Sequence, residues 1–151
     1  YKRVWNSIES ICFEKEIVNG IFLNIQKDEN SYIFGVMIKI SEEEFEVLKL
    51  REKNYSCVTI KKEDTFNQNL DEDLIAFMTT KDDKIAKIGQ ENCFIPSRYI
   101  QIVKEGVKNF SKEFQDNFED IFSNFPFEIK DGIYTFSDPI QNQAAKNSEK
   151  L

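Results

Sequence analysis

Apolar residues recur along the chain with two different spacings, and the points where the spacing changes mark its expected elements. Residues 1–6, Tyr-Lys-Arg-Val-Trp-Asn, alternate apolar and polar and read as the end of a strand. Gly20 to Ile25 reads as another, stopped by the polar run from Lys27 to Ser31. Tyr32, Phe34, Val36, Ile38 and Ile40 then fall on one face of an expected long strand. Gly35 in its middle suggests a bulge or the close approach of another backbone. Strands are also expected over 55–60, over 74–80 after a polar loop at 61–73, briefly over 92–95, and over 127–136.

Two helices interrupt this alternation. Ser41 followed three residues later by Glu44 has the form of a capping box, and Glu42 to Glu44 suit the positive end of a helix running to about Arg51. The second is expected to be long, over 97–125. It is opened by Pro96-Ser97 and stopped by Pro126, with Tyr99, Val103, Val107, Phe110, Phe114, Phe118, Ile121 and Phe125 at steps of three and four. Gly106 in its middle predicts either close packing or a break into two helices. Residues 137–151 read as a polar tail without a core face, leaving 1–136 as one domain of α+β class. The Phe stripe from 110 to 125 is expected to be core, and Arg3 and Trp5 to serve packing and surface pairing.

Composition narrows the chemistry. Fourteen Phe residues in 151 point to a core held together by aromatic burial. A net charge of −7 argues against nucleic acid or an anionic membrane as a partner, since Lys61-Lys62 runs straight into Glu63-Asp64. No stretch approaches the ~20 apolar residues of a membrane span. The three cysteines, Cys12, Cys57 and Cys93, are widely spaced, lack a CxxC pair and are expected to be buried small hydrophobes in a reducing cytoplasm. Histidine is absent, so a general base at neutral pH has to be a carboxylate, Lys, Cys or Tyr. The five glycines are too dispersed for a phosphate-cradling loop. Neither a metal nor a cofactor is expected.

The order of several short motifs carries a resemblance. Tyr1-Lys-Arg-Val-Trp-Asn6 is followed by Phe22-Leu-Asn-Ile25, Phe34-Gly35-Val36, Ser41-Glu-Glu-Glu-Phe-Glu-Val-Leu48, Arg51-Glu52-Lys53-Asn54-Tyr55 and Pro96-Ser97-Arg98-Tyr99 with Gly106 beyond it. In this order, over residues 1 to about 110, they resemble the γ-glutamylcyclotransferase-like family, and Arg51 to Tyr55 is similar to its "R-E-x-x-Y".

The resemblance implies a small closed, barrel-like mixed sheet with helices packed outside. It also implies an enzyme that releases 5-oxoproline from a small γ-glutamyl amine or amino acid, with Glu52 at the family's catalytic carboxylate and Tyr55 and Tyr99 as candidate substrate-binding residues; the plainer readings are a solvated Glu52 in a charged turn and Tyr55 and Tyr99 as core aromatics with their hydroxyls satisfied. The substrate already carries its attacking amine and its carbonyl in one molecule, so proton traffic is the remaining task, and one carboxylate can serve first as base and then as acid. A free Glu, with a pKa of about 4.3, needs a site that raises it, and burial or the negative pole of a helix does so.

Departures from the family pattern are also expected to matter. Lys49 stands where Asp is usual, and Ala76-Phe77-Met78 where a Tyr is common. The family's Tyr-Gly-Ser-Leu loop, which supplies backbone N–H groups to the substrate, has no counterpart in residues 1–151: either it lies upstream of Tyr1, or the protein lacks it and Glu52 has no anchored substrate. The alternative is a non-catalytic binding module on the same fold, marked by a filled pocket or by a Glu52 carboxylate held in an ion pair with Lys49 or Arg51. An open antiparallel sheet would instead mark an unrelated α+β protein.

Overall fold

A computed structural model of the chain describes residues 1–66, 69–123 and 125–148. Its centre is a hairpin of two long strands, β1 (Lys2–Phe13) and β2 (Glu16–Gln26), joined by Glu14-Lys15 with Glu14 in the left-handed region at φ 56°. β1 extends well past the expected end at residue 6, because the alternation resumes after a register shift between Ile8 and Ile11. That shift puts Ile8, Ile11 and Phe13 into one core cluster with Val18 and Phe22 of β2. Ile21, on the other face, packs with Cys93, Ile95 and Ile100, so the sheet is buried on both sides.

Gly20 is where the first cluster is tightest. A Cβ there would lie 2.5 Å from Cε2 of Phe22 and 2.7 Å from Cδ1 of Ile11. Both side chains are buried, so neither has room to retreat. Gly20→Ala is therefore expected to cost about 1–3 kcal/mol by overpacking, read from the shift in the urea unfolding midpoint. An unchanged midpoint would show that the cluster has slack.

Around the hairpin, α1 (Glu42–Arg51) leads to β3 (Ser56–Ile60), which pairs with β4 (Leu74–Met78) as an antiparallel two-stranded sheet. β5 (Cys93–Pro96) pairs parallel to β2, and β6 (Glu128–Lys130) parallel to β5. β7 (Tyr134–Phe136) pairs antiparallel to β1, which gives the order β6-β5-β2-β1-β7. The class is the expected α+β with a mixed sheet. The closed barrel is not found: the five-stranded sheet is open, with β6 and β7 on opposite edges and no ladder joining them among the described residues. Residues 127–136, expected as one strand, are split between these two edges around Gly132 at φ 132°.

A second correction explains part of the first. The expected strand over 32–40 is not a strand, although its alternation is intact. Asn117 Oδ1 accepts the Phe34 N–H at 3.0 Å, and Arg3 Nη2 donates to the Phe34 carbonyl at 2.7 Å. With those backbone groups held by side chains, Phe34 offers nothing to a neighbouring strand. The Arg3 guanidinium also lies 3.7 Å above the Phe118 ring, and burial pushes its pKa down to about 10. The capping box at Ser41 and Glu44 forms as expected.

The expected single helix over 97–125 is two: α2 (Ser97–Val107) and α3 (Lys112–Ser123), with Asn124 outside the described residues. Gly106 meets nothing within 4 Å of a built Cβ, so of its two readings the break is the one observed. The Ser111 hydroxyl accepts the Phe114 N–H at 3.3 Å, and Gln115 Nε2 reaches back to the Phe110 carbonyl at 2.8 Å. Local side chains therefore restart the helix. Phe110, Phe114, Phe118 and Phe122 stack in a ladder, but only Phe114 of that stripe is buried.

The segment expected to be a polar tail forms α4 (Pro139–Ser148); residues 149–151 of that expected tail lie outside the described residues, as do 67 and 68 of the expected 61–73 loop. Asp138 Oδ1 accepts the N–H groups of Ile140 (2.7 Å) and Gln141 (3.3 Å), and Pro139 sits where a missing N–H is harmless. α4 packs on α1 and buries Gln141 and Ala144. No helix among the described residues is long and apolar enough to cross a membrane. Cys93 is buried, Cys12 is half-buried and Cys57 is exposed, so only one of the three cysteines is fully core.

Candidate functional site

The turn that carries Glu52 is built by the end of α1. Glu52 donates its N–H to Leu48 O at 2.8 Å, and its carbonyl accepts the Tyr55 N–H at 2.8 Å. The last α1 carbonyl, that of Arg51, is met by Gln141 Nε2 of α4 at 2.8 Å. The turn is thus fastened from both sides before its side chains are considered. Its carboxylate is only partly exposed, at 22%, and accepts from Arg51 Nε at 2.6 Å.

Tyr55 turns inward and packs against the cluster around Ile8 and Phe22, where the Asn6 side chain hydrogen-bonds its hydroxyl. Burial pushes its pKa well above the usual tyrosine range; the Asn6 bond opposes this and the Glu52 charge adds to it. Tyr99, in the first turn of α2, places its hydroxyl 3.1 Å from the Leu23 N–H and accepts from it. Burial raises its pKa too, against the Leu23 bond, with smaller upward pushes from Tyr55, Tyr134 and Glu52. Tyr134 of β7 is raised by burial and drawn down by the Arg98 charge.

Phe22 stands at the middle of this group. Its ring meets Tyr99 edge-on at 5.0 Å and lies 5.7 Å from Tyr134. Of the three residues singled out in the sequence, Glu52 and Tyr55 share the turn after α1, and Tyr99 of α2 packs against the same core cluster as Tyr55. The tyrosine rings fill the neighbourhood of that cluster as part of the core.

Asn6, Tyr134 and Gln141 escaped the reading of the sequence as members of this neighbourhood. Asn6 was visible only as the last letter of a strand motif. Tyr134 and Phe136, two apart after Gly132, carried a strand signal but nothing to indicate their neighbours. Gln141 was hidden in a segment whose helix start, Asp138-Pro139, is itself a readable cap signal.

Beside the turn, on the Lys53–Asn54 side, lies a polar cleft of about 260 Å³ that also takes in Ser7, Lys84, Asp138 and Gln141. Glu52 does not line it. Lys53 Nζ and Asp138, both of which line it, are paired with each other. Among the described residues no group of three His, Cys, Asp or Glu side chains is placed to hold a metal ion. Compared with protein-family models, curated proteins and solved structures, the chain matches none of them.

Proposed function

We propose that the chain is a γ-glutamylcyclotransferase-like enzyme that releases 5-oxoproline from a γ-glutamyl amine or amino acid, with Glu52 as general base and then general acid. The observation that carries this is that Glu52 and Tyr55 share one turn fastened to α4, while Tyr55 and Tyr99 pack against the same core cluster. A partly buried carboxylate can take a proton from a substrate ammonium and return it to the leaving amine. For this the carboxylate has to leave Arg51, whose Nε donates to it at 2.6 Å. The order of the motifs along the chain adds support, and a cytoplasmic setting suits three free cysteines.

The test is 5-oxoproline release from a panel of γ-glutamyl substrates, using the full native chain. Glu52→Gln is expected to lower the rate by about 10²–10⁴-fold with an unchanged melting temperature. Absence of release by the wild type across the panel would sink the assignment.

A second reading has its own observations. The Glu52–Arg51 pair and the side-chain-filled neighbourhood favour a non-catalytic binding module on this fold. The open sheet departs from the closed one that both readings take from the resemblance. Normal folding with no release, in wild type and Glu52→Gln alike, is the outcome this reading expects.

A further inference from the structure

We propose that residues 35–40 pair, as an antiparallel strand, with the same residues of a second copy of this chain. Residues 31–41 run without a turn, bend or helix, and every residue from 35 to 40 is exposed. Val36, Ile38 and Ile40 share one face of the run, and Ile38 is 71% exposed; Met37, also exposed, stands on the other. Among the described residues, none donates to or accepts from the backbone groups of 35–40. A straight run with idle backbone groups and branched apolar side chains is completed by another strand.

The run is held at both ends, and those holds fix how far pairing can extend. At one end Arg3 and Asn117 take the Phe34 carbonyl and N–H, and the Phe34 ring lies 6.0 Å from that of Phe114 in α3. At the other, the Ser41 N–H donates to Glu44 Oε2 at 2.6 Å and the Ser41 carbonyl accepts the Phe45 N–H at 3.0 Å. The stretch between them is already drawn out, so little chain entropy remains to be lost on pairing.

The side-chain pattern selects a second copy as the occupant, because the run is complementary to itself. In a two-fold pair of antiparallel strands, residues directly opposite each other point to the same face. With Ile38 opposite Ile38, Val36 meets Ile40 on either side of it, and all three branched residues of the face are paired. Lys39, the one charged residue between Ser31 and Glu42, then stands opposite Met37 and never opposite itself. Centring the pair on Met37 sets Ile40 against Phe34, whose backbone is already taken. Centring it on Lys39 puts two ammonium groups face to face. One closed dimer thus satisfies both copies at once, and it stands apart from the reading of Glu52.

Sedimentation equilibrium of the full chain at rising concentration tests this, together with amide hydrogen exchange of the dilute and concentrated protein. A monomer–dimer equilibrium is expected, with alternate amides of 36–40 exchanging at least about tenfold more slowly in the dimer. Ile38→Glu sets two like charges opposite each other and removes apolar contact, and should weaken the dimer by at least about tenfold. Met37→Glu sets each new carboxylate opposite Lys39 of the other copy, and should leave the dimer within about threefold of wild type. Both positions are exposed in the single chain, so neither change disturbs its core. A chain that stays monomeric at every concentration, leaving 35–40 to a strand of another protein, overturns the proposal. So does assembly beyond the dimer, a dimer with unchanged exchange at 36–40, or one that Ile38→Glu leaves intact. Equal weakening by the two Glu variants also overturns it, since that is the mark of unspecific apolar contact. None of these outcomes bears on 5-oxoproline release, which has its own assay.

Discussion

Replacing Phe22 with alanine should cost about 3–5 kcal/mol of stability, the range for emptying a buried aromatic site. Phe22 is 6% exposed and occupies the centre of the first core cluster. Its ring touches the edges or faces of Tyr99, Tyr134 and Phe136, with centroids 5.0, 5.7 and 6.4 Å away. Those neighbours belong to α2 and β7, which approach from opposite sides of the hairpin and cannot both collapse into the void. Phe22→Leu keeps most of the volume and should lose clearly less, which separates loss of packing from loss of ring geometry. Urea unfolding of the three proteins measures the difference. A loss below about 1 kcal/mol for the alanine variant would mean that the cluster is not the centre of the core.

The second large effect is alkaline instability. Tyr55, Tyr99 and Tyr134 all have pKa values raised in the folded state, chiefly by burial. In the unfolded chain each titrates near its ordinary value of about 10. Below that pH both states keep the phenolic protons, and the contribution of these groups to stability is fully present. Above it the unfolded chain loses protons that the folded one retains, so stability falls as pH rises, until the folded pKa values are reached. Each retained proton is worth about 1.36 kcal/mol per pH unit, so Tyr55 and Tyr99 together should remove about 3 kcal/mol per unit, with Tyr134 acting in the same direction.

Other groups titrate in the same window. Lys61 and Lys112, raised by their partners Asp73 and Asp116, act in the same direction, and Arg3, lowered by burial, opposes by at most one proton. The comparison of wild type with Tyr99→Phe isolates one tyrosine: the variant's slope above pH ~10 should be shallower by about 1.4 kcal/mol per unit. The slope is the readout, because the variant also leaves the Leu23 N–H without its acceptor and is weaker at every pH. Equal slopes would show that the Tyr99 hydroxyl ionises as freely in the folded protein as in the unfolded chain.

Both predictions concern the same small region, and they bear on the functional proposal. If the tyrosines around Phe22 are a rigid core element, they shape a fixed wall against which Glu52 acts. If the Phe22 variant folds loosely but retains 5-oxoproline release, the wall is not needed for the chemistry. In the non-catalytic reading the same rings are simply the core, and only the stability effects remain.

What the sequence determined by itself was the structure whose causes lie within a few residues. The capping box at Ser41 and Glu44, the length of α1 and the alternation of β3 and β4 all rest on side chains and backbone groups three or four positions apart, or on simple alternation. The turn at Arg51–Tyr55 belongs to the same class, since its N–H and carbonyl bonds close locally. Gly106 was legible as a weak point, and the helix does end beside it.

Only the tertiary structure decided the rest. An alternating run needs a partner backbone to become a strand, and at 32–40 Arg3 and Asn117 take the Phe34 backbone groups instead. The parallel pairing of β2, β5 and β6, which leaves the sheet open, depends on contacts far apart in the chain that no local period encodes. The same holds for the meeting of Glu52, Tyr55, Tyr99 and Tyr134. Their residue types and one motif were readable, but the meeting arises because the turn after α1, a helix start and a late edge strand all pack on the cluster around Phe22.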